Sequence, residues 1–293
     1  MDLRGERTTG QLSLRYEDVA QDGRILLETM PVALGVVWRN VLVPGELRDA
    51  LTSQGILPIL TRFQIDGTAG PFPAVGKPLD VEGGYQVSHD VDAHGSVARL
   101  LLDMDAELWG AKGRTNLPPP DDAGARALAG RVRAEHVFTR PFAPAEQRKV
   151  LSLPLGGKAF VPETRREWRT PQTTLDVPSS ARALDATYTE DPLVHALGLT
   201  HTDSNQHVNS LVYPRFFEEA ALRRLASLGR STNVLARTLD IAFRRPSFGG
   251  ERLRILLQAH EDGTRIVCTG VFLGEGESDV RRARVFVQMG LEA

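Results

Sequence analysis

Cysteine is almost absent from this sequence, in which Cys268 is the only one among 293 residues. A single cysteine excludes an intramolecular disulfide and a zinc site built on cysteines, which is typical of a reducing compartment. The polar start, residues 1–10, has no apolar core of a secretory signal, so we expect the cytoplasm. The sequence also lacks any apolar run close to the ~20 residues that span a bilayer.

An excess of charge of one sign is also missing. The chain has 37 acidic and 35 basic residues, and its formal net charge is −2. This balance predicts neither a nucleic acid nor a membrane surface as partner. With 41% hydrophobic and 25% charged residues, the composition is that of an ordinary globular protein. The length fits two domains of about 130 residues.

Alternating apolar and polar residues predict long antiparallel strands in both halves of the chain. In the first half, a hairpin covers 85–109, with its turn at 92–95. In the second half, a hairpin covers 252–273, with its turn at 261–264, and a last strand covers 283–291.

Helical periodicity is rarer. The clearest helix covers 209–228, where an apolar stripe recurs at helical spacing and Gly229 follows as a candidate C-terminal cap. The first half offers shorter helices at 31–42 and 46–53. Each half therefore runs from a polar loop through a helix to long strands, which predicts an α+β fold repeated twice.

Proline marks the middle of the chain. Nine of the eighteen prolines fall between residues 118 and 178, and no strand alternation is sustained there. We interpret 111–180 as a long, partly ordered connection in which 127–138 is a candidate short helix. The predicted domains are therefore 1–110 and 181–293.

Residues 201–209, directly before the clearest helix, contain five side chains that can take part in acid–base or hydrogen-bonding chemistry: two His, two Asn and one Asp. A loop of the form D-x-N-x-H-V-N that enters a helix and precedes long antiparallel strands resembles the hotdog fold, in which a sheet wraps around a central helix. The residues that carry this resemblance are Asp203, Asn205, His207, Val208 and Asn209, with Tyr213, Phe217 and Glu218 further along the helix.

Two such units in one chain, with the motif in the second, resemble the acyl-ACP thioesterases of plants and bacteria. The resemblance implies two tandem hotdog domains that form a pseudo-dimer, either as a monomer or within a homo-oligomer. It implies an acyl thioester as substrate, carried by acyl carrier protein (ACP) or coenzyme A. No cofactor and no metal are expected.

For thioester hydrolysis, the loop offers three side chains with distinct roles. Asp203 is its only carboxylate and can act as base or nucleophile, and Asn205 can orient water or the substrate carbonyl. His207 can shuttle a proton near neutral pH.

The backbone offers the remaining requirement, which is a set of donors for the carbonyl oxygen as it becomes an oxyanion. The N-terminus of a helix presents free N–H groups together with a partial positive charge. We therefore expect the oxyanion donors among the amides of Val208, Asn209 and Ser210.

One departure from the plant enzymes affects the predicted site. In those enzymes a Glu-Cys pair implicated in catalysis follows two arginines, whereas here Arg244-Arg245 is followed by Pro246-Ser247. Three explanations stay open: Asp203 carries the chemistry alone, Ser247 takes the role of the missing cysteine, or the protein is a weak catalyst.

The first half contains a related loop without the chemistry. When residues 20–25 are aligned on the motif, Ala20 stands opposite Asp203 and Arg24 opposite His207. The first unit is therefore expected to be catalytically degenerate, a scaffold and a candidate wall of the acyl site.

Other interpretations of the motif remain. Asp203 and Asn205 could simply cap the helix, since Asp and Asn are preferred there. The protein could also bind acyl thioesters without cleaving them. A hotdog dehydratase or hydratase is a third class, but the D-x-x-x-x-H hydratase spacing is not found. A metal bound by His201, Asp203 and His207 would lack a fourth ligand nearby.

An acidic carrier protein as partner would require a basic surface near the site. The candidates by proximity in sequence are Arg223, Arg224, Arg244 and Arg245, for which an ordinary solvated surface is the alternative.

Overall fold

The computed structural model describes residues 6–42, 46–67, 76–113, 118–155 and 157–292. The chain divides into two compact units, Met1–Arg169 and Thr170–Ala293. No helix in these described ranges is long and apolar enough to cross a membrane.

The first unit is an antiparallel sheet with helical segments beside it. Its strands follow the order β1-β3-β4-β5-β2. Their bounds are Arg7–Leu12 (β1), Leu57–Asp66 (β2), Leu79–Val91 (β3), Val97–Ala111 (β4) and Arg126–Thr139 (β5). A 3-10 segment Leu27–Ala33, helix α1 (Leu34–Val37) and a π-helical turn Trp38–Leu42 are continuous, and helix α2 follows at Glu46–Ser53. A separate hairpin pairs β6 (Leu153–Leu155) with β7 (Lys158–Phe160).

The predicted hairpin of the first half is confirmed. Strands β3 and β4 pair up to Val91 opposite Val97, and the Asp92 carboxylate accepts the N–H groups of His94 (2.9 Å) and Ser96 (3.0 Å) in the turn. Gly95 takes a φ of 80°, a left-handed conformation that glycine adopts without steric cost.

The interpretation of 111–180 as a partly ordered connection is wrong over Arg126–Thr139. This segment is not a short helix but strand β5, which pairs with both β4 and β2 inside the first unit. Its alternation is obscured at Gly130, which packs against Met30: a Cβ there would lie 2.6 Å from the sulfur. The pairing with β4 is also interrupted at this place, because Leu108 pairs with Gly130 and the next residue, Trp109, pairs with Leu128, so that Ala129 of β5 is skipped. The first unit extends to Arg169.

Strand β5 also carries a neutral histidine. Nδ1 of His136 lies 3.3 Å from the carbonyl oxygen of Leu102, and burial lowers the pKa of the imidazole to about 4. The unfolded chain therefore takes up a proton near pH 6.5 that the folded chain resists until about pH 4. The contribution of His136 alone should lower the free energy of unfolding by about 2 kcal/mol between pH 7.5 and pH 5. Urea titrations of the wild type and of His136→Asn, whose pH dependence should be smaller by that amount, test this.

The second unit is also built on antiparallel strands, with main strands in the order β11-β14-β13-β12. Three short strands cover the far side of β12: β8 (Arg182–Ala183), β9 (Thr189–Glu190) and β10 (His195–Ala196). The main strands and the helix are β11 (Leu235–Phe243), β12 (Arg252–Asp262), β13 (Arg265–Gly274), β14 (Val285–Glu292) and α3 (Val212–Ser227). The predicted hairpin 252–273 and the last strand are confirmed.

Helix α3 packs on this sheet through aromatic contacts. Tyr213 and Phe217 meet Phe272 with ring centroids 5.1 and 6.4 Å apart. Gly270 lies beneath Phe217, and a Cβ there would lie 2.6 Å from the ring. Each fully buried apolar side chain of this kind contributes about 1.5–3 kcal/mol. The lone Cys268 lies in the same core, where burial raises the pKa of the thiol to about 12, so it is no nucleophile at neutral pH.

Candidate active site

Helix α3 begins after the motif, and the motif does not cap it. The helix starts at Val212, and its N-cap residue, Leu211, makes no side-chain cap bond. Asn209 instead closes the turn before the helix, because its Oδ1 accepts the N–H of Leu211 at 2.9 Å and its carbonyl accepts that of Val212 at 3.1 Å. The alternative in which Asp203 and Asn205 merely cap the helix is therefore wrong. The predicted cap at the other end is confirmed, with Gly229 at a φ of 66°.

The loop 203–207 is closed by its own backbone. The N–H of Asp203 donates to the carbonyl of His207 at 3.1 Å, and the N–H of Gln206 donates to the carbonyl of Asp203 at 2.9 Å. Gln206 takes a φ of 65°, a strained conformation for a residue other than glycine. Thr202 and Val208 pair as a single β-bridge at the base of the loop. Such a closed loop holds its side chains in a defined orientation.

Each of the three predicted catalytic side chains has polar atoms without a hydrogen-bond partner in the described part of the chain. Oδ1 of Asp203 accepts the N–H of Asn205 at 2.8 Å, whereas Oδ2 has no protein donor within the described ranges. The Asn205 side chain is exposed, and the half-buried His207 ring makes no hydrogen bond to any part of the chain that the structure describes. The edge of that ring meets Phe248, with centroids 6.4 Å apart. The loop therefore presents a carboxylate oxygen, an amide and an imidazole that a ligand could engage.

Two of the three predicted oxyanion donors are already used. The N–H of Val208 donates to the carbonyl of Ser247 at 2.8 Å, and that of Asn209 donates to the carbonyl of His201 at 2.9 Å. Both predictions are wrong in this structure because each amide has a protein acceptor. The N–H of Ser210 has none among the residues described and remains a candidate donor at the entry to α3.

Ser247 lies next to the loop but is not accessible. Its side chain is fully buried (0% exposed), and its hydroxyl makes no hydrogen bond of good geometry within the described part of the chain. It neighbours the hydroxyl of Tyr213, whose pKa is raised by burial, a shift that Ser247 opposes. The connection to the loop runs through the backbone of Ser247, which accepts the Val208 N–H. This position does not support Ser247 as a substitute for the missing cysteine.

The first unit contains a loop with the same backbone pattern. There the N–H of Ala20 donates to the carbonyl of Arg24 at 2.8 Å, and the N–H of Gly23 donates to the carbonyl of Ala20 at 2.9 Å. Val19 and Ile25 form the single bridge at its base, just as Thr202 and Val208 do in the second loop. The side chains that replace the motif, Asp22 and Arg24, pair with each other at 2.9 Å. The two loops share their geometry and differ in their chemistry.

Two buried carboxylates beside α3 had no signal in the sequence. Asp191 and Asp185 are each only 5% exposed. Arg223 donates two hydrogen bonds of 2.9 and 2.8 Å to the carboxylate of Asp191, and Arg224 forms an ion pair with Asp185. The expectation that these two arginines belong to an exposed basic surface is wrong, because each is committed to a buried partner 32 or 39 residues earlier in the chain.

Arg244 and Arg245, which were also expected on a basic surface, are exposed. Arg245 pairs with Glu277 at 3.0 Å. Arg244 donates to the carbonyl of Arg282 at 2.9 Å and has no carboxylate partner within the ranges described. Among the residues described, no group of three or more His, Cys, Asp or Glu side chains is arranged to hold a metal ion.

Comparison with known proteins identifies one family model and several solved structures with a similar fold. Residues 205–276, which cover α3 and strands β11 to β13, match the model of the thioesterase superfamily. No curated protein matches the sequence.

Three solved structures resemble the whole chain. A protein from Lactobacillus plantarum assigned as an oleoyl thioesterase aligns with a TM-score of 0.61 at 14% identity, covering 99% of this chain and 97% of its own. An acyl-ACP thioesterase from Bacteroides thetaiotaomicron gives 0.59 at 14% identity with 98% of both chains covered. The 12:0-ACP thioesterase from Umbellularia californica gives 0.57 at 12% identity, covering 98% and 97%. These matches confirm the predicted fold of two tandem hotdog domains, and together with the family model they bear out the resemblance.

Proposed function

We propose that the protein hydrolyses an acyl thioester to a free carboxylic acid and a thiol, with its active site on the loop 203–210. One observation carries this proposal. The closed loop presents the free Oδ2 of Asp203 before helix α3, whose buried face is apolar and at whose entry the N–H of Ser210 is also unused. The thioesterase family model, which begins inside this loop, supports the same reaction.

We propose a simple reaction sequence for these groups. Asp203, as base, takes a proton from water as the water oxygen attacks the thioester carbonyl carbon. The carbonyl oxygen becomes an oxyanion, to which the N–H of Ser210 donates. Collapse of the tetrahedral intermediate breaks the carbon–sulfur bond. The departing thiolate receives the proton that Asp203 took from water, relayed through His207, so that both side chains return to their starting states. If Asp203 attacks directly instead, the resulting mixed anhydride is hydrolysed by water in a second step.

The acyl group is carried by ACP or by coenzyme A, and we expect this activity in the cytoplasm. The first unit serves as a scaffold without its own chemistry, because Ala20 and Arg24 occupy the places of the carboxylate and the imidazole. The pseudo-dimer arrangement and the oligomeric state stay predictions.

A panel of acyl-CoA and acyl-ACP thioesters of different chain lengths, with the released thiol measured, tests the proposed reaction. Turnover of at least one thioester well above the uncatalysed rate is expected. Binding of acyl thioesters without release of thiol from any of them would establish the alternative, a non-catalytic acyl-thioester-binding protein.

His207→Ala and Asn205→Ala should each lower kcat by about 10²-fold, the scale of one positioned proton-transfer or polar group. Neither side chain makes a protein hydrogen bond within the described part of the chain, so the melting temperature should stay near that of the wild type. Stopped-flow or steady-state thiol release measures the first quantity and calorimetry the second. A loss of stability without a loss of kcat would assign both residues a structural role.

Ser247→Ala should change kcat by less than about tenfold, because alanine keeps the backbone carbonyl that holds the Val208 amide. Steady-state kinetics on the same thioester checks this. A loss as large as that of His207→Ala would instead give the Ser247 hydroxyl a part in the chemistry.

A further inference from the structure

His201 lies directly before the loop 203–207, at the end of a 3-10 turn, Leu199–His201, and has no role in the proposed reaction. Its N–H donates to the carbonyl of Gly198 at 3.0 Å, and its ring nitrogen Nδ1 accepts the N–H of Gly198, also at 3.0 Å. Backbone and side chain therefore close the same turn. An imidazole nitrogen accepts a hydrogen bond only when it carries no proton, so this geometry requires a neutral His201 with its proton on Nε2.

The backbone of His201 holds the far end of the loop. Its carbonyl accepts the N–H of Asn209 at 2.9 Å, and the carbonyl of Asn209 in turn accepts the N–H of Val212 at 3.1 Å. The Asn209 carbonyl and the Ser210 N–H belong to one planar peptide unit, in which they point in opposite directions. The bond to Val212 therefore fixes the direction of the Ser210 N–H, which is the proposed oxyanion donor.

Helix α3 meets the His201 ring through Phe216. The two rings have centroids 5.4 Å apart at an angle of 80°, and a second imidazole, His195, stacks on Phe216 at 4.2 Å. Nε2 of His195 is buried without a hydrogen-bond partner in the part of the chain that the structure describes, and burial lowers the pKa of this imidazole. Of the two imidazoles on Phe216, His201 is therefore the one whose ring nitrogen helps to hold the turn before the loop.

The charged side chains around the two imidazoles are paired with one another. The pairs are Asp191 with Arg223, Glu219 with Arg223, and Glu251 with Arg284. The other titratable groups on the adjoining segments are His195, Asp203 and His207. Within the described ranges no carboxylate pairs with the His201 ring, so a proton on Nδ1 would find no acceptor in place of the Gly198 N–H that it opposes.

We propose that neutral His201 is a positioning residue for the thioester hydrolysis, because it holds the Asn209–Ser210 peptide and with it the oxyanion donor. This inference rests on the proposed function and adds a residue to it. When His201 takes up a proton, two N–H groups face each other across the 3.0 Å between Nδ1 and the Gly198 nitrogen, and the turn opens. The contribution of His201 to kcat is therefore present above the pH at which it titrates and is lost as the pH falls.

Two variants separate the hydrogen bond from the charge. In His201→Asn, Oδ1 is as many bonds from Cα as Nδ1 is, so it can accept the Gly198 N–H, but it takes up no proton. Its kcat should stay within about threefold of the wild type at pH 8, and the ratio of the two kcat values should rise by about threefold or more at pH 5.5. His201→Phe keeps a ring against Phe216 but loses the acceptor, so kcat at pH 8 should fall by about tenfold.

His195→Phe is the matched control, because it removes the other imidazole from Phe216 while keeping an aromatic ring in its place. Its kcat should follow pH with the shape of the wild-type profile, since burial opposes the protonation of His195. Steady-state release of thiol between pH 5.5 and pH 8 measures all three variants. A ratio of His201→Asn to wild type that stays constant over this range would overturn the inference, as would a His201→Phe protein with the kcat of the wild type.

NMR of the isotope-labelled protein gives a readout that does not depend on turnover. In the wild type, the amide signals of Gly198, Asn209 and Ser210 should shift along the same titration curve as the His201 ring. In His201→Asn those shifts should be absent. If the amides follow the ring and no thioester is cleaved, the proposed function fails while the coupling of His201 to the loop stands. Amide signals that do not follow the ring would overturn that coupling.

Discussion

Asp203→Asn should lower kcat by about 10³-fold or more and leave the free energy of unfolding almost unchanged. Asparagine keeps an oxygen that can accept the Asn205 N–H, so the closed loop should persist. It loses the charge and the basicity that the attack on the thioester requires, and a missing general base costs about 10²–10⁴-fold. Thiol release from the best substrate of the panel and urea denaturation measure the two quantities.

The first unit supplies a matched control for this variant. Asp22→Asn makes the same chemical change in a loop with the same backbone pattern, and it removes the carboxylate that pairs with Arg24. It should affect stability or acyl binding with little direct effect on kcat. An Asp203→Asn protein with normal turnover and a lower melting temperature would contradict the proposed role. Asp203 would then be a structural residue of the loop, and the binding-protein alternative would gain support.

Asp191→Ala should lower the free energy of unfolding by about 3 kcal/mol, the typical result of removing one partner from a buried ion pair. Asp191 is 5% exposed, and without it the Arg223 guanidinium keeps its charge while losing two hydrogen bonds. Arg223 lies on α3, so the pair anchors the helix to the segment that leads towards the catalytic loop. Urea denaturation of the full chain measures the loss.

Two further variants separate this explanation from a general effect of mutation. Glu190→Ala removes the neighbouring carboxylate, whose side chain is 47% exposed and pairs with Arg254 at 2.9 Å, and it should cost less than about 1 kcal/mol. Adding Arg223→Met to Asp191→Ala should restore part of the stability, because it removes the guanidinium that has lost its buried partner. Equal losses from Glu190→Ala and Asp191→Ala would contradict the role assigned to burial.

The predictions from sequence were accurate where a signal is local and periodic. The strands β4, β12 and β14 alternate along their own residues, and turn residues such as Gly95 mark hairpins, so one strand can be identified without its neighbours. The internal repeat was equally visible: the alignment of the loops at 20–25 and 203–208 predicted two units, and the backbone hydrogen bonds repeat at the aligned positions.

Strand β5 was missed because its identity depends on partners in other segments. Gly130 breaks the apolar alternation where Met30 needs the space of a side chain, and the pairing with β4 skips Ala129, the residue before it. The prolines on both sides then made the composition resemble that of a connection. A strand in the interior of a sheet can tolerate these interruptions because its neighbours on both sides supply the hydrogen bonds.

The sequence by itself determined which chemical groups the loop carries, because Asp203, Asn205 and His207 follow one another within five residues and precede a recognisable helix. Tertiary structure decided which of the groups are available. The Val208 N–H donates to the carbonyl of Ser247, 39 positions later, and Arg223 is paired with the carboxylate of Asp191, 32 positions earlier. Hydrogen bonds and ion pairs between distant segments leave no periodic trace in a sequence. Only the fold therefore showed that the Ser210 amide and the Arg244 side chain remain available for a ligand.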